Sequence, residues 1–247
     1  MIAQLRSELR KMRSTRTNLG LLLGLLGIVL LTVLAGGLSM ESWALDRRDD
    51  QLDVLRNGTN ASIFAALIGV LAMTSEFRHG TIRSTFVFTP ARGRVVLAKV
   101  TAGLLVGAGF GALGEAFAIG LGVLVLRVRG ASLEIGAADV RQLFLGAIGL
   151  CALWAALGVG LGAVVRNQVF AIVGLSVWAF VVEMILLAYA PGVARYGPGP
   201  AGRAMTGDTN GADSLHLLSA PAGALLLALY AGLFAAAGVA VTRRRDV

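Results

Sequence analysis

The chain has 247 residues, of which 56% are hydrophobic and only 15% are charged, and its mean hydropathy is +0.78. A soluble domain of this size is less apolar and carries more charge, so the composition excludes a soluble globular protein. The formal net charge is +8, but the arginines flank apolar runs instead of forming one face, which excludes a nucleic-acid-binding surface. The single cysteine, Cys151, lies within an apolar run, which excludes a disulfide framework and a thiolate metal site.

An amphipathic arm, residues 1–18, precedes the first apolar run. Ile2, Leu5, Leu9 and Met12 share one helical stripe, while the basic residues of the arm lie elsewhere on the helix. We predict an elbow helix in the membrane interface, with its apolar face in the headgroup boundary and its arginines near anionic lipid. Two roles stay open, a plain topology anchor and a contact with a cytoplasmic partner.

Six apolar runs are long enough for helices that cross roughly 30 Å of hydrocarbon. The predicted spans are residues 19–38, 58–74, 100–126, 143–165, 170–190 and 222–241. The first run is longer than the apolar core of a signal peptide, so we expect an uncleaved span. The sequence therefore predicts an all-α membrane protein, with six transmembrane helices in a single transmembrane domain, residues 1–247.

The distribution of charge between the two sides of the spans predicts the orientation. Loops and termini on one side hold 14 of the 22 basic residues and 3 of the 14 acidic residues. That side carries both ends of the chain and the segment between the second and third spans. Because Lys and Arg are retained on the cytoplasmic side, we expect cytoplasmic termini. Residues 191–221, rich in Gly and Pro, are then predicted to form an extracellular loop.

A basic segment with many apolar residues, residues 75–99, joins the second and third spans. Gly80 and Thr81 supply a flexible break, and Thr89 followed by Pro90 matches a helix N-cap and first helical position. A helix that runs from Pro90 through the third span would be about 55 Å long, so its first turns must project from the bilayer. A solvated linker needs fewer apolar and aromatic residues. We therefore predict a short helical docking surface on the cytoplasmic face.

Several polar motifs near the ends of the spans match one known family. The segments that carry the match are residues 7–16, 74–85, 89–92, 195–198 and 243–247, together with Lys99. The core motif is Thr-Ser-Glu-Phe-Arg-His-Gly-Thr-Ile-Arg-Ser-Thr at residues 74–85. Over nearly its whole length the chain resembles the permease subunits of ABC-2-type exporters.

The resemblance implies a bacterial inner-membrane permease that pairs with a second copy, as a homodimer or a heterodimer, and recruits two cytoplasmic ABC ATPase subunits. In that family the loop after the second span carries a coupling helix. The implied ATPase-coupling residues are Glu76, Phe77, Arg78, His79, Gly80, Thr81 and Arg83. The chain has no Gly-x-x-x-x-Gly-Lys-Ser/Thr phosphate loop. We therefore expect that it hydrolyses no ATP alone and binds no cofactor or metal, and that ATP and Mg²⁺ bind the partner subunit.

Two acidic residues lie inside predicted spans and are candidates for the translocation path. Glu115 shares a helical stripe of the third span with small residues, so we expect it to face protein. The helix-packing glycines of this stripe are Gly103, Gly107, Gly111 and Gly122. Glu183 lies about two turns from the outer end of the fifth span. The alternatives are a structural partner across the interface for Glu115 and a packed, protonated group for Glu183.

The apolar and small residues of the spans favour a lipophilic or drug-like solute for such an exporter. Three other classes of function are possible. A proton-coupled secondary transporter would use Glu115 or Glu183, although the two halves of the sequence show no internal repeat. An intramembrane serine hydrolase would use Ser176, but His79 and His216 fall outside the predicted spans and supply no base. A membrane anchor for an ATPase, without a transported solute, stays open.

Overall fold

The structure is a computed structural model that describes residues 2–41, 43–81, 92–208 and 217–244, and every regular element in these ranges is helical. The helices are α1 (Ile2–Ser14), α2 (Arg16–Ser39), α3 (Arg48–Leu55), α4 (Ala61–Arg78), α5 (Arg92–Val128), α6 (Ala137–Val165), α7 (Gln168–Val177), α8 (Glu183–Tyr189), α9 (Pro191–Ala194), α10 (Pro198–Met205) and α11 (Ala220–Arg244). A 3₁₀ turn, Arg56–Asn60, joins α3 to α4, and a π-helical turn, Trp178–Val182, joins α7 to α8.

Six helical stretches of the described chain are long and apolar enough to cross a membrane. They are Arg16–Ser39, Arg48–Arg78, Gly93–Val128, Ala137–Val165, Gln168–Tyr189 and Ala220–Arg244. The predicted all-α class and the six spans are thereby confirmed, and the chain is a multi-pass membrane protein. The second stretch begins at Arg48 instead of residue 58, because α3 and the 3₁₀ turn continue into α4.

Helix α6 lies at the centre of the bundle and packs against α4, α5 and α11. Glycines allow these backbones to approach closely. A Cβ atom added to Gly111 of α5 would lie 2.5 Å from the carbonyl oxygen of Ala147 in α6. One added to Gly160 of α6 would lie 2.6 Å from the carbonyl carbon of Phe234 in α11. Larger side chains would push the helices apart, so the small residues set the distance between them.

The first, fifth and sixth spans lie at the periphery of the bundle. In the fifth span, only 11% of the most apolar window is buried within the chain. In the fourth span, 61% of the corresponding window is buried. The exposed side chains of the fifth span include Phe170 and Met184. In a membrane such side chains face lipid or another subunit, because hydrocarbon is as apolar as they are.

The described ends of the chain meet at one end of the bundle, which we call the termini end. Helix α1 packs against α5 there. Gly93, at the start of α5, lies beside the end of α11, since a Cβ atom on Gly93 would be 2.9 Å from Arg243 Nη2. At the opposite end, Arg129 donates hydrogen bonds to the carbonyl oxygens of Gly37 at 3.0 Å and Met40 at 2.7 Å. These bonds satisfy carbonyl groups that the end of α2 leaves open.

The composition of residues 191–221 predicts a loop, but the described part of this segment contains α9 and α10. Each helix begins with a proline, Pro191 or Pro198, at its first position, where the missing N–H is not needed. Helix α10 packs against α11 and α6. A Cβ atom on Gly146 of α6 would lie 2.6 Å from the carbonyl oxygen of Met205. The segment is therefore a packed part of the bundle up to residue 208.

Candidate functional site

Four charged side chains meet at the termini end, where α1, α4 and α5 come together. Lys99 Nζ of α5 lies 2.6 Å from Glu8 Oε2 of α1 and 2.8 Å from Glu76 Oε1 of α4. Lys11 Nζ of α1 lies 2.9 Å from Glu8 Oε1 and 2.9 Å from Glu76 Oε1. Each lysine thus contacts both carboxylates. We call these residues the four-charge cluster, and they join three helices that are distant in sequence.

Lys99 is the most enclosed member of the cluster, with 1% of its surface exposed. Its ammonium group donates to Glu8, to Glu76 and, at 3.2 Å, to the carbonyl oxygen of Ala72. Three hydrogen bonds are the full capacity of an ammonium group. Two lysines facing two carboxylates leave the cluster neutral, so pairing offsets the desolvation of the buried charges. Removal of one partner would leave a buried charge without compensation.

Lysine is the residue type that marks this cluster. Lys11 and Lys99 are the only lysines among the 22 basic residues of the chain. Partial burial disfavours the Lys11 ammonium, but hydrogen bonds with Glu76 and Glu8 outweigh that effect and raise the pKa of Lys11. A compact ammonium fits between two carboxylates, whereas the planar guanidinium group of arginine needs more room. The spacing of the motifs does not predict the cluster. The sequence feature that points to it is the rarity of lysine, since both lysines of the chain belong to it.

The apolar stripe of α1 packs against the bundle. Leu5 and Leu9 contact the main core, and Met12 belongs to it with 6% of its surface exposed. Glu8 lies on the same face and is buried, whereas Arg6 on another face is exposed. This face of α1 thus packs against the protein, while its position in the headgroup boundary stays a prediction.

The end of α4 carries the residues that the resemblance implies for ATPase coupling. Glu76 points into the four-charge cluster and Phe77 is half-buried. The exposed residues that follow are Arg78, His79, Gly80 and Thr81. Gly80 has a φ of +69°, in the left-handed region that commonly ends helices. Arg83 and the predicted helix start at residues 89–90 lie outside the described residues.

Phe77 fixes the last turn of α4 to the connection between α6 and α7. The guanidinium carbon of Arg166 lies 5.3 Å from the centroid of the Phe77 ring, in reach of a cation–π interaction. Arg166 Nη2 also donates to the carbonyl oxygen of Val241 in α11 at 3.1 Å. Arg166 itself has a φ of 58°, uncommon for a residue with a side chain. One arginine therefore contacts the ends of two further helices.

A groove of about 540 Å³ opens between α1 and α4 beside the four-charge cluster. Lys11, Glu76 and Lys99 form its polar floor, and Ile68 and Leu71 belong to its apolar wall. Its lining also includes Arg78, His79 and Thr81. The groove thus connects the buried cluster with the exposed end of α4.

Glu115 lies in α5 with 0% of its surface exposed. Both carboxylate oxygens are buried and accept no hydrogen bond from the described part of the chain. The residue faces the 3₁₀ turn, since a Cβ atom on Gly58 would lie 2.5 Å from Glu115 Cα and would collide with Oε2. Burial without a hydrogen-bond partner is costly for a carboxyl group.

The predicted glycine stripe of α5 divides between two neighbours. Its members that face α6 are Gly103, Gly107 and Gly111. Gly122 instead faces α3, where an added Cβ atom would lie 3.0 Å from Leu55 Cδ1. Glu115 faces the 3₁₀ turn, as its close approach to Gly58 shows.

Glu183 follows the π-helical turn and holds α10. Its Oε1 atom accepts hydrogen bonds from Trp178 Nε1 at 3.1 Å and from the backbone N–H of Gly199 at 2.8 Å. A Cβ atom on Gly199 would collide with the carboxylate, so glycine is required for this approach. Single π-helical turns often occur at functional sites, and here the turn directly precedes Glu183, the first residue of α8.

A cleft of about 430 Å³ lies beside Glu183, between α2, α4, α6, α8 and α10. Its aromatic lining residues are Phe64, Trp154 and Phe180, and its charged ones are Arg56, Glu183, Arg203 and Asp208. The volume is within the range of small-molecule sites, and apolar walls with a few polar groups are typical of them. Of the two intramembrane acids, Glu183 therefore borders a cleft, whereas Glu115 is enclosed.

No protein-family model matches the chain, and no curated protein matches it either. What the structure itself establishes is a helical, multi-pass membrane protein with a buried charge cluster at its termini end and a cleft beside Glu183.

Proposed function

We propose that this chain is the membrane subunit of an ATP-driven exporter of the ABC-2 type. Two copies combine with two ATPase subunits in a bacterial inner membrane, with both termini in the cytoplasm. The chain receives work at its termini end, binds neither ATP nor Mg²⁺ itself and moves a lipophilic or drug-like solute outward.

The observation that carries this proposal is the four-charge cluster directly behind the exposed end of α4. A surface that receives force must be attached firmly to the helices that move. Networks of ion pairs and hydrogen bonds are one means by which such coupling is carried. Glu76 ties α4 to Lys11 of α1 and to Lys99 of α5. A push on the end of α4 would therefore act on three helices together.

The proposed contact with the ATPase is the exposed residues next to the cluster. Arg78, His79 and Thr81 line the groove between α1 and α4, and Arg78 and His79 bring basic character to its rim. Glu76 and Phe77 support this surface from inside, since the first is buried in the cluster and the second packs under Arg166. The coupling role implied for Glu76 is thus an indirect one in our proposal.

Basic residues support the proposed orientation. Arg6, Arg10, Arg78 and Arg243 are exposed at the termini end, where the positive-inside rule places the cytoplasm. The peripheral fifth span supports pairing with a second copy, because so little of it is buried within one chain.

The test is reconstitution with an ABC ATPase encoded beside this chain. Wild-type permease should copurify with the ATPase and give ATP-dependent solute uptake into inverted vesicles. The double variant Arg78→Ala/His79→Ala should lose copurification and uptake while its thermal unfolding midpoint stays unchanged. The control is Arg141→Ala, which removes an exposed arginine at the opposite end of the bundle. Normal ATP-driven uptake by the double variant would exclude this contact surface.

A proton-coupled secondary transporter is the second candidate, and Glu115 is the observation that favours it. A carboxyl group enclosed in a span binds or releases a proton wherever a movement opens it to water. Uptake driven by an imposed proton gradient without any ATPase, and abolished by Glu115→Gln, would support this candidate against ours. Copurification of the ATPase without transport of any solute would instead indicate a membrane anchor.

A further inference from the structure

We propose that the groove between α1 and α4 binds one anionic phospholipid, with the lipid phosphate beside Arg78 and an acyl chain along Ile68 and Leu71. Such a site goes beyond the proposed function, because it needs neither an ATPase nor a transported solute. The position, the polarity and the charge of the groove support it.

The groove lies where two spans end. Arg78 is the last residue of the second span, and Thr17 and Asn18 belong to the first turn of the first span. Spans leave the hydrocarbon at their ends and pass through the headgroup layer. The polar half of the groove therefore lies at the depth of lipid phosphates. Both leaflets carry phosphates, so the site does not depend on the orientation of the chain.

The α4 wall of the groove changes from apolar to basic toward the end of the helix. Ile68, Leu71, Ser75 and Arg78 line it in this order, at the spacing of one helical face. From Ile68 to Arg78 the helix rises by about 15 Å. An apolar half followed by a basic half matches the order of acyl chain, glycerol and phosphate in a phospholipid.

Arg78 supplies a positive charge that the four-charge cluster does not match. The two lysines and two glutamates of the cluster, all in the lining, cancel one another. With histidine counted as neutral, Arg78 leaves the described lining with one excess positive charge. Within the described ranges its guanidinium group pairs with no acid and makes one long contact, of 3.5 Å from Nη1 to Gln168 Oε1. Guanidinium groups bind phosphate through paired hydrogen bonds.

The size and the donors of the groove fit a headgroup with the first part of one chain. Its volume of about 540 Å³ is within the range of small-molecule sites. Thr17 and Ser75 add hydroxyl groups to the lining, and a hydroxyl can donate to a phosphate oxygen. Free phosphate would leave the apolar wall uncovered, and a lipid without net charge would leave the charge of Arg78 unmatched. Basic pockets between membrane helices bind anionic headgroups in this way.

The test is native mass spectrometry of the purified permease in detergent, without an ATPase. The probe is phosphatidylglycerol, and the comparison is phosphatidylcholine with the same acyl chains. We expect one phosphatidylglycerol to be retained in preference to phosphatidylcholine. Arg78→Gln removes the excess charge and should weaken phosphatidylglycerol binding by about fivefold. Arg6→Gln, which removes an exposed arginine outside the groove lining, should leave it unchanged.

A second variant tests the apolar half of the groove. Leu71→Trp fills this half without a change of charge and should also weaken phosphatidylglycerol binding. Its control is Leu97→Trp, at an exposed position of α5 outside the groove lining, which should not. Equal retention of the two lipids, or unchanged phosphatidylglycerol binding in both groove variants, would overturn the proposal. Displacement of the lipid by inorganic phosphate would also overturn it, since the groove would then be a site for the free anion.

Arg78 also belongs to the proposed ATPase contact, and Leu71→Trp separates the two roles. Leu71 lies away from the exposed end of α4, so its replacement leaves the side chains of that contact in place. Leu71-dependent lipid binding in a permease that copurifies with no ATPase would keep the lipid site and remove the coupling surface. Copurification of the ATPase by a permease that binds both lipids equally would do the reverse.

Discussion

Lys99 and Glu8 are 91 residues apart in the sequence, and their side chains meet at 2.6 Å. This contact joins the N-terminal arm to the third span. Glu8 belongs to the amphipathic arm and Lys99 to the start of a long apolar helix, so each has a local explanation on its own. Only the tertiary structure shows that they form one buried ion pair.

Replacement of Lys99 with methionine should destabilise the protein strongly. Glu8 and Glu76 would then share the site with Lys11 alone, and breaking a buried pair from one side typically costs about 3–5 kcal/mol. The measurement is thermal unfolding followed with a thiol-reactive dye, because Cys151 is the only cysteine and is fully buried. Lys11→Met is the control, and it should cost less because its side chain is half exposed. Equal losses in the two variants would contradict this account.

Lys99→Arg tests shape at constant charge. The guanidinium group is larger and planar, and Lys99 is fully enclosed between two carboxylates and a carbonyl oxygen. We expect an unfolding midpoint between those of wild type and Lys99→Met in the same assay. A midpoint equal to that of wild type would show that charge alone matters at this position.

Gly80→Val should uncouple the proposed complex. No described residue lies within 4 Å of an added Cβ atom at this position, but the φ of +69° is unfavourable for a β-branched residue, and left-handed backbone costs roughly 1–2 kcal/mol. The end of α4 would change its path, so transport should fall and the ATPase rate should change while the complex still assembles. Gly80→Asn is the matched control, because asparagine tolerates this conformation. Coupled transport at the wild-type rate in Gly80→Val would disprove the role of this turn.

Gly111→Ala should separate α5 from α6. The added methyl group would lie 2.5 Å from the carbonyl oxygen of Ala147, and overpacking of this kind costs about 1–3 kcal/mol. Gly109→Ala, on the same helix, would meet no atom of the described residues within 4 Å and should leave the unfolding midpoint almost unchanged. If both variants unfold at the same temperature, close packing at Gly111 does not stabilise the bundle.

Glu115→Met should leave the protein as stable as wild type or make it more stable. Methionine has a similar length and removes two oxygens that accept no hydrogen bond from the described residues. A buried polar group without a partner costs about 1–3 kcal/mol, and this cost would disappear. Thermal unfolding with the same dye measures the effect. A clear loss of stability would mean that the carboxyl group has a stabilising partner, and Arg56→Met would then identify whether that partner is Arg56.

The helical class, the number of spans and the close approach of small residues follow from local composition, which is why the sequence predicts them. Twenty apolar residues require a helix in a membrane, and glycines at helical spacing require a close neighbour. The position of Glu76 does not follow in this way. The residues that follow Phe77 are exposed, and contacts with Lys11 and Lys99, on other helices, make the burial of Glu76 favourable.

Distant contacts also shape the arm and the segment after the fifth span. An apolar stripe on α1 suits either lipid or protein, and part of it packs against the core beside α5. Prolines and glycines at residues 191–200 predict turns, yet Pro191 and Pro198 begin helices, and Gly199 provides the approach to Glu183. In each case a distant contact selects among conformations that the local sequence allows.

Because lysine occurs at only two positions, the reactivity of these two side chains can report the separation of the helices that carry them. Lys11 is half exposed and Lys99 is enclosed, so an amine-reactive reagent should modify the Lys11 side chain of the folded protein and spare that of Lys99. Whatever separates α1 from α4 and α5 would make Lys99 reactive. The ratio of label on the two side chains, read by mass spectrometry, would then follow the opening of the termini end without any engineered probe.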